Sequence, residues 1–410
     1  MRKTMMMLAL FALCGAVAWV SASAKGGGAA KNVTFSKDVA PIFYKSCAEC
    51  HRPGEAAPFS ALSYREVRPW AKSIREKILS KEMPPWHADP NHGEFMNDRR
   101  LTQAEIDTIV AWVDGGVKEG NPKELPPAPK FTEGWLIGMP DETFSIPPQQ
   151  IPAEGVVKYQ YLTVPTNFKE DRWITAAEIR STGRAAVHHV IVFVQDPNSP
   201  GNAATGGNLL AGVAPGEQPA RYQPGMGKKI PAGARLIFQM HYTPNGKATT
   251  DVTTLGLKYA KETPQHAIHT RPVLNTSFRI PAGASNHEVK SSYVFQEDVR
   301  LVSLMPHMHL RGKDMEIKAY LPDGSTRVLL SVPRYDFNWQ TYYIPKAAVP
   351  LPKGTRVECV AHYDNSPANK FNPDPTKDVR WGEQTWEEMM IGWLSYHAES
   401  APAAKPVATR

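Results

Sequence analysis

Three stretches of this chain hold residues whose types and spacing could do redox or metal chemistry. The first is CAECH, Cys47 to His51. Two thiols at this spacing can form thioethers to the edge of a porphyrin, and the imidazole that follows then lies beneath the iron. This is the signature of covalent haem c attachment. A redox disulfide of thioredoxin type shares the C-x-x-C spacing, but it carries no adjacent histidine and sits in a βαβ context that is missing here. The iron needs a ligand on its other face, and SKEMPPWHADP offers Met83 on a loop stiffened by Pro84 and Pro85, with His87, His92 and Met96 as alternatives. A thioether opposite an imidazole gives a high-potential, electron-transferring haem.

The second and third stretches are histidine groups in the later part of the chain. In SLMPHMHLRG, His307 and His309 are two residues apart. On a strand that spacing puts both rings on one face, where they can chelate one ion, although such pairs also occur as packing residues. AVHHVIVFV holds His188 and His189, and FQMHY holds His241. Neighbouring strand residues face opposite sides, so His188 and His189 can reach one metal only at a bulge or a strand end. Met389 and Met390 follow in TWEEMMIGW. Imidazoles combined with a thioether select copper, because sulfur favours Cu(I) and nitrogen accommodates both oxidation states.

These residues must be positioned by at least two kinds of structure. The chain has 410 residues with 42% hydrophobic content, long enough for two or three cored domains, and its 29 Gly and 37 Pro suit short strands and turns. The net charge of +7 is spread without a dense Lys/Arg block, which argues against nucleic acid as a partner. Residues 1–24 read as a secretory signal, with Arg2 and Lys3 before an apolar stretch that ends at Ala22-Ser23-Ala24. The apolar run is short for a membrane anchor and no later stretch could span a bilayer, so a periplasmic or otherwise exported location is expected. Once the signal is removed, Cys359 has no partner.

Residues 31–121 read as a small all-α cytochrome c domain. Ser36 is expected to cap a helix leading to the haem motif. Thr102-x-x-Glu105 is a capping box that opens a helix with Ile106, Ile109, Val110 and Val113 on its apolar face, stopped by Gly115 and Gly116. Residues 122–130 form a Pro-rich, semi-rigid linker. Alternating runs such as HHVIVFV, ARLIFQMHY, VRLVSLM and RVECVAHY then predict two tandem antiparallel β-sandwiches of jelly-roll type, over 131–265 and 266–398. The glycine-rich stretch from Pro197 to Lys229 lacks a phosphate-loop pattern and reads as a surface loop. Residues 399–410 read as a disordered tail.

In this order, His-His, Gln-x-His-Tyr, His-x-His and acidic-Met, the region from Phe131 to Tyr396 resembles the copper type II, ascorbate-dependent monooxygenases. That family includes peptidylglycine α-hydroxylating monooxygenase and dopamine β-monooxygenase. The resemblance implies two copper ions. His188, His189 and His241 would hold the electron-donating one. His307, His309 and Met389 would hold the catalytic one, which binds dioxygen and abstracts hydrogen from a C–H bond of a small-molecule substrate. Met389 is favoured over Met390 because it directly follows Glu387-Glu388, and Gln239 matches a family position near the electron-transfer route.

The departures from the family are also informative. The animal enzymes are rich in disulfides, and Met390 stands where they have a cysteine. Where the peptidylglycine enzyme anchors its substrate carboxylate, this chain has Met305, Ile391 and Trp393, which implies a more apolar substrate. The haem motif is absent from the animal enzymes. It implies that an external donor feeds electrons through one covalently bound haem c. Two other readings use the same residues: a periplasmic haem and copper electron-transfer or copper-binding protein without monooxygenase activity, and a haem sensor with a degenerate binding domain. The remaining histidines, His266, His269, His287, His362 and His397, are assigned surface or packing roles.

Overall fold

The computed structural model describes residues 32–55, 57–198, 208–214 and 218–399. The signal segment and the tail from residue 400 lie outside them. Helices come first and strands afterwards. The helices Ala40–Ser46, Tyr64–Val67, Ala71–Leu79 and Gln103–Asp114 enclose a small core of Phe35, Phe43, Val67, Ile109 and Trp112. In the last of these the capping box forms as expected: the Thr102 hydroxyl accepts from the Glu105 N–H and the Glu105 carboxylate accepts from the Thr102 N–H. Gly115 closes that helix. Its fully buried ring, however, is Trp112, which the aliphatic pattern did not single out.

Ser36 does not cap a helix. The chain enters through a π-helical turn, Phe35–Val39, with Thr34 at its N-cap, and Ser36 is buried within it. Asp38 reaches back to the Thr34 N–H and so takes the reciprocal capping role. In the linker, Asn121 accepts from the Lys123 N–H and starts a single 3-10 turn, Pro122–Glu124. Residues 125–130 have no regular structure.

The strands form two β-sandwich units with separate cores. In the first, the sheet built on Glu142–Ser145, Thr253–Tyr259, Arg172–Ser181 and Met226–Ile230 faces a four-stranded sheet. That second sheet consists of Gln160–Pro165, Arg235–Tyr242, Val187–Gln195 and Leu209–Val213. Ile174, Val190, Val192, Phe238, Met240 and Leu257 fill the space between. In the second unit, His269–Leu274, Ile391–Ala398, Val299–His307 and Val349–Leu351 face His287–Val294, Arg356–Tyr363, Gly312–Tyr320 and Thr326–Val332. Leu301, Ile317, Leu330, Cys359, Met390 and Leu394 fill that core. Alternation of inward apolar and outward polar residues is clearest in Arg356–Tyr363, where every second residue is buried.

The glycine-rich stretch is not simply a surface loop. Its described residues include the strands Leu209–Val213 and Met226–Ile230, and Leu209, Leu210 and Ala211 are buried. Two leucines beside an alanine supply enough apolar surface to complete the sheet edge next to Val187–Gln195. Among the described residues, no helix is long and apolar enough to cross a membrane.

The helical region also leans on the second sandwich. Trp86, Ala88 and Phe95 enter that sandwich's core, with Trp86 edge-on to Tyr343 at 4.9 Å between ring centroids. The Asp89 N–H donates to the Ser331 carbonyl at 2.8 Å, the Met96 N–H donates to the Ile344 carbonyl at 2.7 Å, and Asn97 bonds Tyr342 and Ile344.

The two sandwiches meet at a buried lysine. Lys228 Nζ donates to the Leu209 carbonyl and, at 2.8 Å, to Thr270 Oγ1 in the second unit. Burial drives its pKa from the ordinary 10.5 down to about 7. The unfolded chain then holds a proton that the folded chain lacks between those two values, so stability rises with pH across that window. We expect Lys228→Met to flatten this rise, which would otherwise reach up to about 1.4 kcal/mol per pH unit. Urea unfolding of parent and variant at pH 7.5 and pH 9.5 checks it, and equal slopes would contradict the assignment.

Candidate metal centres

A β-bulge creates the first centre. Val187–Gln195 pairs with Arg235–Tyr242 so that Val187 faces Tyr242 and His189 faces His241, with His188 as the extra residue between them. The bulge turns two sequence neighbours toward the same place. Ligand atoms of His188, His189 and His241 all lie within 4.8 Å of one another. Nδ1 of His188 is 3.0 Å from Nδ1 of His189, which is 3.4 Å from Nδ1 of His241. Tyr159 stacks on His241 at 4.6 Å, and its hydroxyl lies 3.4 Å from the same nitrogen.

Burial lowers the pKa of all three rings, His241 to about 3 and His189 well below the ordinary value. For His241 and His189 the neighbouring imidazoles add to the effect. The rings are therefore neutral, and each has one nitrogen lone pair to offer. Three neutral imidazoles so placed could hold one metal ion, and copper is among the metals that imidazole suits.

The second pair lies at the end of Val299–His307. His307 and His309 are buried, with ring centroids 5.3 Å apart and planes nearly perpendicular. Nδ1 of His307 lies 2.8 Å from Gln340 Oε1, and Nδ1 of His309 lies 3.2 Å from the Glu387 carbonyl. Each oxygen can accept a hydrogen bond from Nδ1–H, the tautomer that keeps the lone pair on Nε2. Glu388 accepts the backbone N–H groups of His309 and Arg311 at 2.8 and 2.6 Å, which fixes the turn after His307. Burial lifts its carboxyl to about 8 despite those donors.

Of the two methionines, Met390 is sealed in the core of the second sandwich. Met389 packs at the edge of a different apolar cluster, with Phe193 and Leu209 of one sandwich and Met305, Ile391 and Trp393 of the other. The three residues at the expected anchor positions thus lie buried in the apolar junction between the units. Gln239 is buried and donates to the Tyr161 hydroxyl at 2.6 Å.

Phe337 stands between the two histidine groups, stacked on His188 at 5.3 Å and edge-on to His309 at 5.7 Å. It and Gln340 belong to an irregular loop, and their rings and amides carried no signal in the sequence. Tyr335 pins that loop by accepting from the Met308 N–H and donating to the Met308 carbonyl.

The haem motif forms a helical turn in which the N–H groups of Cys50 and His51 donate to the Cys47 carbonyl. Both cysteines are free thiols, and burial raises both pKa values. His51 Nδ1 is 3.3 Å from the Phe59 carbonyl, which leaves Nε2 free for an iron. This donor set fits covalent haem. Met83 lies on the loop after Ala71–Leu79, its N–H bonded to the Lys77 carbonyl. His87, His92 and Met96 lie further along, on the segment that packs against the second sandwich, where Met96 is half exposed and its sulfur accepts from Gln223.

The other histidines behave as packing or surface groups. His266 lies against His397 at 4.2 Å, and His362 bonds Asp314 at 2.6 Å on the outer face of its sheet.

If Gln340 sets the His307 tautomer, Gln340→Leu should weaken copper at that pair about 10–100-fold and leave the three-histidine centre unchanged. Copper titration against a chelator of known affinity measures both centres, and equal affinity in the variant would remove Gln340 from this role.

No protein-family model matches the chain, and no curated protein does. Among solved structures, an allantoicase aligns at 8% identity over 53% of this chain and 79% of its own, with a TM-score of 0.17. The major capsid protein P2 from bacteriophage PM2 aligns at 10% identity over 63% of this chain and 98% of its own, with a TM-score of 0.28. The VP2 subviral particle of infectious bursal disease virus aligns at 10% identity over 65% and 74%, with a TM-score of 0.22. Likeness at this level carries no functional argument.

Proposed function

We propose that this chain is an exported dicopper monooxygenase that hydroxylates a C–H bond of an apolar small molecule, with electrons supplied through its own c-type haem. The observation that carries this reading is the pairing of two unlike buried histidine groups, one per sandwich, that face each other across Phe337. Simple metal storage does not call for such asymmetry. Copper at these groups would supply one-electron chemistry and dioxygen activation, and haem at Cys47, Cys50 and His51 would supply electrons one at a time.

The chain's own residues have separate tasks in this reading. His188, His189 and His241 would present Nδ1, while His307 and His309 would present Nε2, with Met389 assigned as their thioether partner by its place in the acidic-Met motif. Gln340 and the Glu387 carbonyl hold the Nδ1 protons of the second pair. Glu388 holds the backbone at His309 and Arg311. Phe193, Met305, Ile391 and Trp393 exclude water and offer no charge to a substrate.

The test is a haem-loaded and copper-loaded preparation screened for oxygen-dependent product. His309→Ala should lose one of two coppers, lose product formation and keep the haem spectrum. Full retention of both coppers would overturn the ligand assignment. Two bound coppers without any oxygen-dependent product would favour an electron-transfer or copper-binding protein instead.

Peptides ending in glycine should be poor substrates. A carboxylate buried without a charged partner costs on the order of 3–5 kcal/mol, and Met305, Ile391 and Trp393 provide no such partner. Steady-state turnover of a glycine-extended peptide, compared with an amide or ester of the same peptide, measures the effect. A preference for the free acid would contradict it.

A further inference from the structure

We infer that Arg184 is a positioning residue that docks the haem-attachment loop onto the three-histidine centre, with Glu55 as its partner. The inference rests on the proposed haem and copper ligation and names the contact that joins them.

The haem side of the contact begins at Arg52, directly after His51. Its guanidinium lies 3.9 Å over the ring of Phe131 and 3.1 Å from Glu55. Another oxygen of Glu55 lies 3.8 Å from Arg184. The loop that carries the haem motif is thereby held at the N-terminal edge of the first sandwich.

On the copper side, Arg184 opens the short turn Arg184–Ala186, which runs straight into Val187, His188 and His189. The same turn is tied to the chain just past His241. The Thr243 N–H donates to the Ala186 carbonyl at 2.8 Å, and the Asn245 side chain donates to the Ala185 carbonyl at 3.1 Å. One turn therefore touches both strands that supply the three histidines. A partly exposed ion pair at this distance adds little to stability. Its consequence is geometric, because electron tunnelling falls exponentially with separation.

The step balances as a one-electron exchange. Ferrous haem iron becomes ferric and Cu(II) at His188, His189 and His241 becomes Cu(I). No bond forms or breaks, and the haem is reduced again by an external one-electron donor.

The test uses the full chain loaded with haem and Cu(II), without dioxygen, with a flavin semiquinone, formed by a flash from the flavin and a sacrificial electron donor, as the one-electron reductant of the haem. The absorbance of the haem after a flash reports its reoxidation. The parent should show a first-order phase independent of protein concentration. Arg184→Glu and Glu55→Arg should each slow it about two- to fivefold, because each reversal turns a weak attraction into repulsion between positions 184 and 55. The double swap should restore part of the rate, because it re-forms the pair between positions 184 and 55 but not the Arg52–Glu55 bond. Haem potentials measured on the same samples separate contact from driving force: the two single variants shift the potential in opposite directions, yet both should slow transfer. A rate unchanged in Arg184→Glu with haem and copper retained, or a double swap as slow as the singles, overturns the docking contact alone. A fully loaded parent with no first-order phase overturns the proposed electron route and this inference together.

Discussion

One extra residue in a β-strand decides whether the first centre exists. Without the bulge between Val187 and His189, the alternation of strand side chains would send His188 and His189 to opposite faces of the sheet. With it, both reach His241, which lies directly across the ladder from His189. The bulge is held from both ends. The turn Arg184–Ala186 is bonded to Thr243 and Asn245, and beyond the histidines Val190, Val192 and Val194 resume regular alternation into the core. The apolar alternation fixes the register on one side, the turn fixes the strand end on the other, and the slack between them is taken up at His188.

Burial then gives these rings their chemistry. An exposed histidine exchanges its proton near neutrality, whereas those at the two centres are held neutral because a buried imidazolium is poorly solvated. The polar groups that remain inside are matched to specific partners. Gln340 faces His307, the Glu387 carbonyl faces His309, and the Glu388 carboxyl takes two backbone N–H groups. Burial lifts the Glu388 carboxyl to about 8, and the two N–H donors, one on each oxygen, work against that shift. Phe337 completes the arrangement as an apolar partition between the centres, held by the same loop that supplies Gln340.

The helical region touches both sandwiches, near one centre on each. The loop after the haem motif meets Phe131 and Arg184 in the first unit, while the segment after Met83 puts Trp86 against Tyr343 in the second. Tyr343 exchanges backbone hydrogen bonds with Leu304, on the strand that ends at His307. A semi-rigid linker alone would leave the helical region free to move about its tether. The packing of Trp86, Ala88 and Phe95 into a sandwich core replaces that freedom with a fixed seat.

Local chemistry was the part legible in the sequence. CAECH, the capping box at Thr102 and the alternation in RVECVAHY each depend on neighbours within a few residues, and a helix cap or a strand face is decided at that range. The order of the histidine motifs could be read, and so could the condition that His188 and His189 need a bulge to act together. Other features were out of reach because they join residues far apart in the chain. Phe337 meets His188 and His309 only once two sandwiches close on each other, and Trp86 finds its core in strands more than two hundred residues away. Ser36 is not the cap because the first turn starts two residues earlier, at Thr34, whose N–H is taken by Asp38, and the glycine-rich stretch supplies a strand that pairs with the sheet edge at Val187–Gln195. Residue type and spacing set which groups could bind a metal, whereas burial at the junction of two separately folded cores decided which of them face one another.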